Sequence, residues 1–446
     1  MRGAEARTII RGGRVIDPGS GLDQVTDLVI EGGRITSVGA ADGAGLMIDA
    51  DGAVVCPGFV DIHTHLREPG QEYKETIASG AAAAAHGGFT TVCAMPNTTP
   101  PIDTRSVVEF VQRQARELPL RVLVIGCVTR GRSGDGLAEM GEMADAGCIG
   151  FSDDGSPVAD PGLMRRALEY ASAFRLPIIN HPEEPSLAAG GVMHEGWVST
   201  RLGLRGQPGA AEEAMVARDV HLAELTGAHV HLTHLSTAAS VELVRAAKRR
   251  GLRVTADVTP HHLTLTHEAV MNATGATGLA YDTNAKVHPP LRTPDDLAAC
   301  IQGLADGTLD AVATDHAPHA VTDKLCEFDL AAPGLTGLET ALGLVLRVVA
   351  GGGVSLTEAI ARMTLGPVHA LGLEKRTGEP GLGTLRVGAP ADVVVFDPDG
   401  CWTVTAAALR SKGKNTPLLG TELMGRVLLT LAGGRVAYQA EGVQVG

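Results

Sequence analysis

The sequence predicts an α/β protein: a (β/α)₈ barrel with a small β-sandwich domain formed by the N- and C-terminal segments. Three observations predict it. Eight short apolar, β-rich runs alternate with Ala-rich or charged helical stretches: VVCPGFVDIH, FTTVCAM, RVLVIGCV, CIGFSDD, LPIINH, HVHLTHL, RVTADVTP and DAVATDH. Strand–helix alternation repeated eight times favours a closed, TIM-like barrel over an open sheet. Polar residues gather at the C-terminal ends of these runs, the face on which such barrels carry their chemistry. The two chain ends share a different texture, with short strands punctuated by Gly-Gly turns.

Bulk composition agrees. A chain of 446 residues suits one large α/β domain and a smaller one. Hydrophobic residues make up 44% but aromatics only 3%, so Ala, Val, Leu and Ile must fill the core. Such residues suit buried parallel strands and their covering helices. The net charge of −14 argues against a nucleic-acid partner, whose phosphates demand a basic surface. It leaves an anionic small-molecule substrate open, because a local Arg and a metal outweigh the global field. Seven scattered cysteines, none in a C-x-x-C pair, read as reduced, mostly buried thiols of a cytoplasmic protein. No signal-length apolar region opens the chain and no apolar run of about 18 residues occurs, so no membrane association is expected.

Along the chain, TIIRGGRVID, DLVIEGGRITSVG and GAVVCPG read as strands and turns, as do GAPADVVVFDPDG and RVLLTLAGGRVAYQ near the other end. The expected domains are therefore 1–56 plus 385–446 for the β unit, and 57–384 for the barrel with a following helical segment. Gly-Gly-Arg occurs at 12–14, 32–34 and 433–435, and is read as three similar β-turns.

The chemistry lies at the strand ends. His63-x-His65 closes an apolar strand, and alternate strand residues point the same way, so both imidazoles can reach one ion. Asp153, in GFSDDG, offers a carboxylate able to bridge two cations; alternation turns the adjacent Asp154 away. A turn aspartate is the plainer reading of Asp-Asp-Gly taken alone. His181 ends IINH and His234 ends HLTH. Alternation does not choose among His229, His231 and His234, and position at the rim selects His234. Asp315, in VATDHAPH, closes the eighth strand. Each residue alone reads equally well as a structural polar group. Four His and two Asp from five strand ends in order point to a metal site, and Zn²⁺ takes this imidazole and carboxylate set. Such an ion makes bound water acidic near neutral pH and polarises a carbonyl. Asp315 is placed to carry a proton to a departing nitrogen.

With these residues in view, HTHLREPG, GGFTTVCAMPNTTP, FSDDG, VTPHHL, PPLRTPDD, ATDHAPH and SKGKNTPLLG resemble the type I dihydroorotases of the amidohydrolase superfamily, over nearly the whole chain. The resemblance implies reversible hydrolysis of L-dihydroorotate to N-carbamoyl-L-aspartate in pyrimidine synthesis, with one or two Zn²⁺ per chain. It implies that His63, His65, Asp153 and Asp315 hold one zinc, that Asp153, His181 and His234 hold the second, and that Asp315 is the general base and acid. It further implies that Arg67, Asn97 and His319 grip the substrate carboxylate, and that backbone groups of Pro333 and Gly334 meet the ring; His65 borders the same pocket. Self-association, with aspartate transcarbamoylase as a further partner, goes with the resemblance. Two departures stand out: His288 replaces the usual Asn before Pro-Pro-Leu-Arg, in the substrate site, and Pro-Glu-Glu follows His181 instead of Cys-Glu-Asp.

Two other readings compete. Dihydropyrimidinases, hydantoinases and allantoinases bridge their metals with a carboxylated lysine on strand four, but CIGFSDD contains no lysine. An inactive homologue kept as an assembly subunit for aspartate transcarbamoylase would be expected to lose ligands, yet all six are present.

Overall fold

The computed structural model describes residues 7–271 and 280–443. The expected β unit begins and ends on residues 1–6 and 444–446, which lie outside the described residues. Strands from both chain ends join one eight-stranded sheet. Its order is Arg435–Gln439, Glu422–Ala432, Val393–Thr403, Val54–Pro57, Thr8–Asp17, Leu22–Glu31 and Arg34–Val38, with Leu46–Asp49 also paired to Thr8–Asp17. The link between the ends is the antiparallel pairing of Val393–Phe396 with Val54–Pro57.

Period-two alternation explains how this sheet serves two cores. Val55, Val393 and Val395 face an inner cluster with Ile10, Val15, Leu28 and Leu429. Their neighbours Val54, Cys56, Val394 and Phe396 face the barrel cluster with Phe59 and Phe89. Two of the three Gly-Gly-Arg segments are hairpin turns, Glu31 to Arg34 and Ala432 to Arg435. The expectation of three turns is corrected at Gly12-Gly13, which lies in a strand where the register slips. The two true turns abut: a Cβ on Gly33 would stand 2.9 Å from the Gly433 carbonyl oxygen.

The barrel consists of Phe59–Thr64, Phe89–Ala94, Arg121–Val124, a single bridging residue at Phe151, then Ile178–Asn180, Val230–Leu232, Val254–Val258 and Ala311–Val312. Each is parallel to its neighbour. Bridges at Gly126–Phe151, Phe151–Ile178 and Thr64–His316 complete the ring. The first predicted run is split at Gly58: Val54–Pro57 belongs to the β sheet and Phe59–Thr64 to the barrel. A Cβ on Gly58 would overlap Thr90 Cγ2 at 2.2 Å, so only glycine allows this crossing.

Small residues let the helices lie close. In Ile77–His86, IASGAAAAAH, six of ten residues are buried. The helix Pro294–Ala305 starts with a Thr293 capping box and proline in its first turn, a strong local start signal. After the eighth strand come the single turn Val321–Lys324, then Ala341–Ala350 and three shorter helices, Leu356–Met363, Leu365–Leu371 and Leu373–Thr377. Five cysteines are buried, and all seven are free thiols. Among the described residues, no helix is long and apolar enough to cross a membrane.

Candidate metal and substrate site

Barrel closure brings the strand ends within ångströms of one another. His63 and His65 come from the first strand, His181 from the fifth, His234 from the sixth and Asp315 from the eighth. All are buried. They surround one carboxylate, that of Asp154. Its Oδ1 lies 3.4 Å from His63 Nε2, 3.5 Å from His234 Nε2 and 3.6 Å from His181 Nδ1. Its Oδ2 lies 3.5 Å from His65 Nε2. Asp315 Oδ1 is 3.0 Å from His65 Nε2 and 3.6 Å from His63 Nε2.

The expectation that Asp153 faces the ions is therefore corrected. Its carboxylate turns to the neighbouring strand, where Oδ1 accepts from the amides of Val128 (2.9 Å) and Thr129 (3.1 Å), and the Thr129 hydroxyl donates to Oδ2. Strict alternation is the rule that fails. The fourth strand is reduced to a bridge at Phe151, and the chain has left extended geometry before Asp153. The Asp154 amide donates to Ser152 Oγ and the Ser156 amide to the Asp153 carbonyl, so the second aspartate swings inward.

Two more aspartates act like Asp153. Asp61 Oδ1 accepts from the amides of His63 and Thr314, both at 3.1 Å. Asp257 Oδ1 accepts from the His234 amide at 2.7 Å, and Oδ2 pairs with His231 Nε2 at 2.8 Å. These ties hold ligand-bearing backbone in an unusual shape. His234 (φ 39°), tied to Asp257, and Asp315 (φ 46°), next to the Thr314 amide tied to Asp61, sit in the left-handed region; Arg67 (φ 62°) does so too, without a tie to these aspartates. Non-glycine residues there cost about 1–3 kcal/mol each and persist only where the surroundings over-determine them. Nothing in the local sequence marked Asp61 or Asp257 as supports; each is one more aspartate in an apolar strand.

The donor set fits a metal. Tetrahedral zinc with Zn–N near 2.0–2.1 Å separates its ligand atoms by roughly 3.4 Å, and four imidazole nitrogens stand 3.4–3.6 Å from the Asp154 oxygens, too far for good hydrogen bonds. Both nitrogens of His63, Oδ1 of Asp154 and Nδ1 of His234 have no hydrogen-bond partner although buried. Buried polar atoms rarely go unpaired without an ion or water to serve. The field points the same way. Burial lowers the proton affinity of His63 and His181, yet nearby carboxylates, Asp154 foremost, raise their pKa to about 9 and about 10. The carboxylates that attract protons to these two rings would attract a divalent cation in the same way, whereas burial keeps His65 and His234 below the usual imidazole range, as neutral donors.

Beside this cluster lies a cavity of about 230 Å³, lined by His65, Arg67, Asn97, His288, His319 and Gly334 among others. His65 Nδ1 lies 2.7 Å from Asn97 Oδ1. With the proton on Nδ1, the Nε2 lone pair is left for an ion, and Asn97 keeps its amide N–H groups for the pocket. Arg67 Nε donates to the Pro318 carbonyl at 3.2 Å. His319 Nε2 donates to the Pro333 carbonyl at 2.9 Å, while its Nδ1 faces the Lys74 ammonium at 3.4 Å. Burial, then the charges of Arg67, Lys324 and Lys74, push the His319 pKa down to about 2, so it stays neutral. Arg67 Nη2, 3.4 Å from the protonated Nε2, finds no acceptor there and remains available to an anion. Gly334 (φ 127°) is forced by space: a Cβ would lie 2.6 Å from Ala317 Cβ.

The two departures noted in the sequence meet at this wall. His288 Nε2 pairs with Glu183 Oε2, and the His288 ring lies 4.6 Å from that of His181. Glu183 also stands 3.9 Å from His181 Nε2 and accepts from Gln207 Nε2 at 2.5 Å. Glu184 instead caps the short helix Pro185–Ala188. Arg132, which the sequence did not single out, lines the pocket and donates to the Asp154 carbonyl. His316 is turned away, its Nε2 3.4 Å from Glu75 Oε2.

A closed (β/α)₈ barrel with buried His and Asp donors at its C-terminal rim defines a metal-binding hydrolase of the amidohydrolase kind. The family model for "Dihydro-orotase-like" proteins matches residues 52–240. The chain is 49% identical to a dihydroorotase from Syntrophus aciditrophicus, over 98% of this chain and 100% of that one. It is 51% identical to a dihydroorotase from Pelotomaculum thermopropionicum, over 97% and 99%. Among solved structures it resembles the L-hydantoinase (dihydropyrimidinase) from Arthrobacter aurescens, with a TM-score of 0.85, 26% identity, and 99% and 98% coverage. The dihydropyrimidinase from Brevibacillus agri shares the fold at a TM-score of 0.83 and 21% identity, with 98% and 96% coverage. The chain belongs to the dihydroorotase family and is a cyclic amidohydrolase.

Proposed function

We propose that the chain interconverts L-dihydroorotate and N-carbamoyl-L-aspartate with zinc held by His63, His65, His181, His234, Asp154 and Asp315, Asp154 being the shared ligand. One observation carries this reading: the orphaned donor atoms around Asp154 lie beside a small pocket whose buried cation, Arg67, has a free face. Zinc, when bound, supplies Lewis-acid polarisation of a carbonyl and lowers the pKa of a water toward neutrality.

The side chains do the rest. Arg67 offers two parallel N–H donors to the substrate carboxylate, and Asn97 adds an amide donor. His319, held neutral, fixes the Pro333–Gly334 backbone against the ring rather than adding charge. Burial raises the Asp315 pKa, but the surrounding imidazoles, His65 first, bring it well below the usual carboxylate range. It is therefore an anion at rest, able to accept the proton of the attacking water and pass it to the departing ring nitrogen. Positioning rests on Asp61 and Asp257, which fix the backbone of the ligand strands. His288 closes the wall through Glu183 and gives the pocket a ring in place of a short amide. Self-association and assembly with aspartate transcarbamoylase belong to the same reading, tested by light scattering of the chain alone and mixed with that enzyme.

The decisive test is metal content by elemental analysis alongside dihydroorotate turnover. Stoichiometric zinc with turnover of dihydroorotate and none of hydantoin is expected. A zinc-loaded protein that hydrolyses hydantoin or dihydrouracil but not dihydroorotate would overturn the substrate assignment.

A further inference from the structure

The opposite, N-terminal face of the barrel holds a larger cavity, about 950 Å³, between the ends of the fourth to seventh strands and the last short helices. Its wall carries Arg175, Arg253, Lys375 and Arg376 against one carboxylate, Asp145. In a chain of net charge −14 this concentration of cations is out of character, and none of the four forms an ion pair among the described residues. Arg376 is held rigidly by carbonyls: Nε donates to Leu371 O at 2.7 Å and Nη2 to Arg175 O at 2.8 Å. Burial of its guanidinium, and after it the repulsion from Arg253, brings the Arg376 pKa to about 10. The floor is His229, whose Nε2 lies 2.8 Å from Thr255 Oγ1.

We propose that this cavity binds a phosphate-bearing small molecule. Four cations against a single carboxylate raise the energy of the empty site, and an oxyanion relieves that repulsion. A guanidinium pre-set by backbone carbonyls gives a phosphate a planar, two-point partner at little ordering cost. The volume exceeds that needed for phosphate alone and leaves room for an organic group against Phe174 and Leu252. The catalytic centre lies at the other end of the barrel, so an occupant here does not compete with substrate.

Isothermal titration of the zinc-loaded enzyme with inorganic phosphate, and separately with a nucleoside monophosphate, tests this, at constant ionic strength and with or without saturating dihydroorotate. One equivalent should bind, undisturbed by dihydroorotate. Arg253→Ser and Lys375→Ser change exposed side chains and should keep the fold and turnover while weakening binding about tenfold or more. Arg376→Gln should weaken it further. Tighter binding of the monophosphate assigns an organic phosphate, and equal binding assigns the free oxyanion. Binding that dihydroorotate abolishes, binding unchanged in Arg253→Ser and Arg376→Gln, or no binding by wild type at millimolar ligand would overturn the proposal.

Discussion

Exchanging the roles of two adjacent aspartates is the sharpest test of the site. Asp154 stands within 3.4–3.6 Å of four imidazole nitrogens and has an oxygen with no other partner. Asp154→Asn removes the anion common to both groups of histidines. Removing a residue that merely orients a ligand costs about 10–100-fold in metal affinity, so loss of a shared ligand should exceed about 100-fold. Asp153→Asn removes no donor from the cluster. It weakens three hydrogen bonds to a buried carboxylate, from Val128 N, Thr129 N and the Thr129 hydroxyl. With charged hydrogen bonds worth about 1.5–3 kcal/mol each and an amide oxygen still able to accept, the expected loss of stability is about 2–4 kcal/mol. Tm should then fall by about 2–4 °C with metal retained. Zinc content by mass spectrometry and thermal melts of both variants separate the effects. A zinc-depleted Asp153→Asn beside a zinc-replete, melt-unaltered Asp154→Asn would refute the assignment.

Three further outcomes are expected. Asp315→Asn should lower kcat by at least about 10²–10⁴-fold, the usual contribution of a general acid–base group, with circular dichroism unchanged; near-normal kcat with bound zinc would remove Asp315 from the proton path. Arg67→Lys should raise KM for dihydroorotate while leaving zinc content alone, because lysine keeps the charge and loses the planar fork; an unchanged KM would show that Arg67 does not meet substrate. Metal-free protein should regain full activity with zinc in bicarbonate-depleted buffer, since no lysine lines the pocket among the described residues and Asp154 needs no CO₂ to become an anion; a strict bicarbonate requirement would mean that a carbamylated lysine acts in its place.

The sequence by itself determined the barrel, the shared β sheet of the two ends, and five of the six clustered residues. Those features rest on local rules. Strand–helix alternation reports the fold because each apolar run must be buried, and a histidine at the end of a strand is near the rim wherever that strand lies. His63, His65, His181, His234 and Asp315 were legible for that reason. What the tertiary structure alone decided is direction at the places where strands stop. Alternation favoured Asp153, but the fourth strand is only a bridge at Phe151, and the amides of Val128 and Thr129, two dozen residues away in sequence, capture that carboxylate and leave Asp154 to the cluster. The roles of Asp61 and Asp257 were hidden likewise, because their partners Thr314 and His231 belong to neighbouring strands. The meeting of His288 with Glu183 spans 105 positions, and the basic cavity is assembled from residues 144 to 376. Pattern along a chain reports which face of a regular element is buried; which neighbour captures a polar group at that element's end depends on the closure of the barrel.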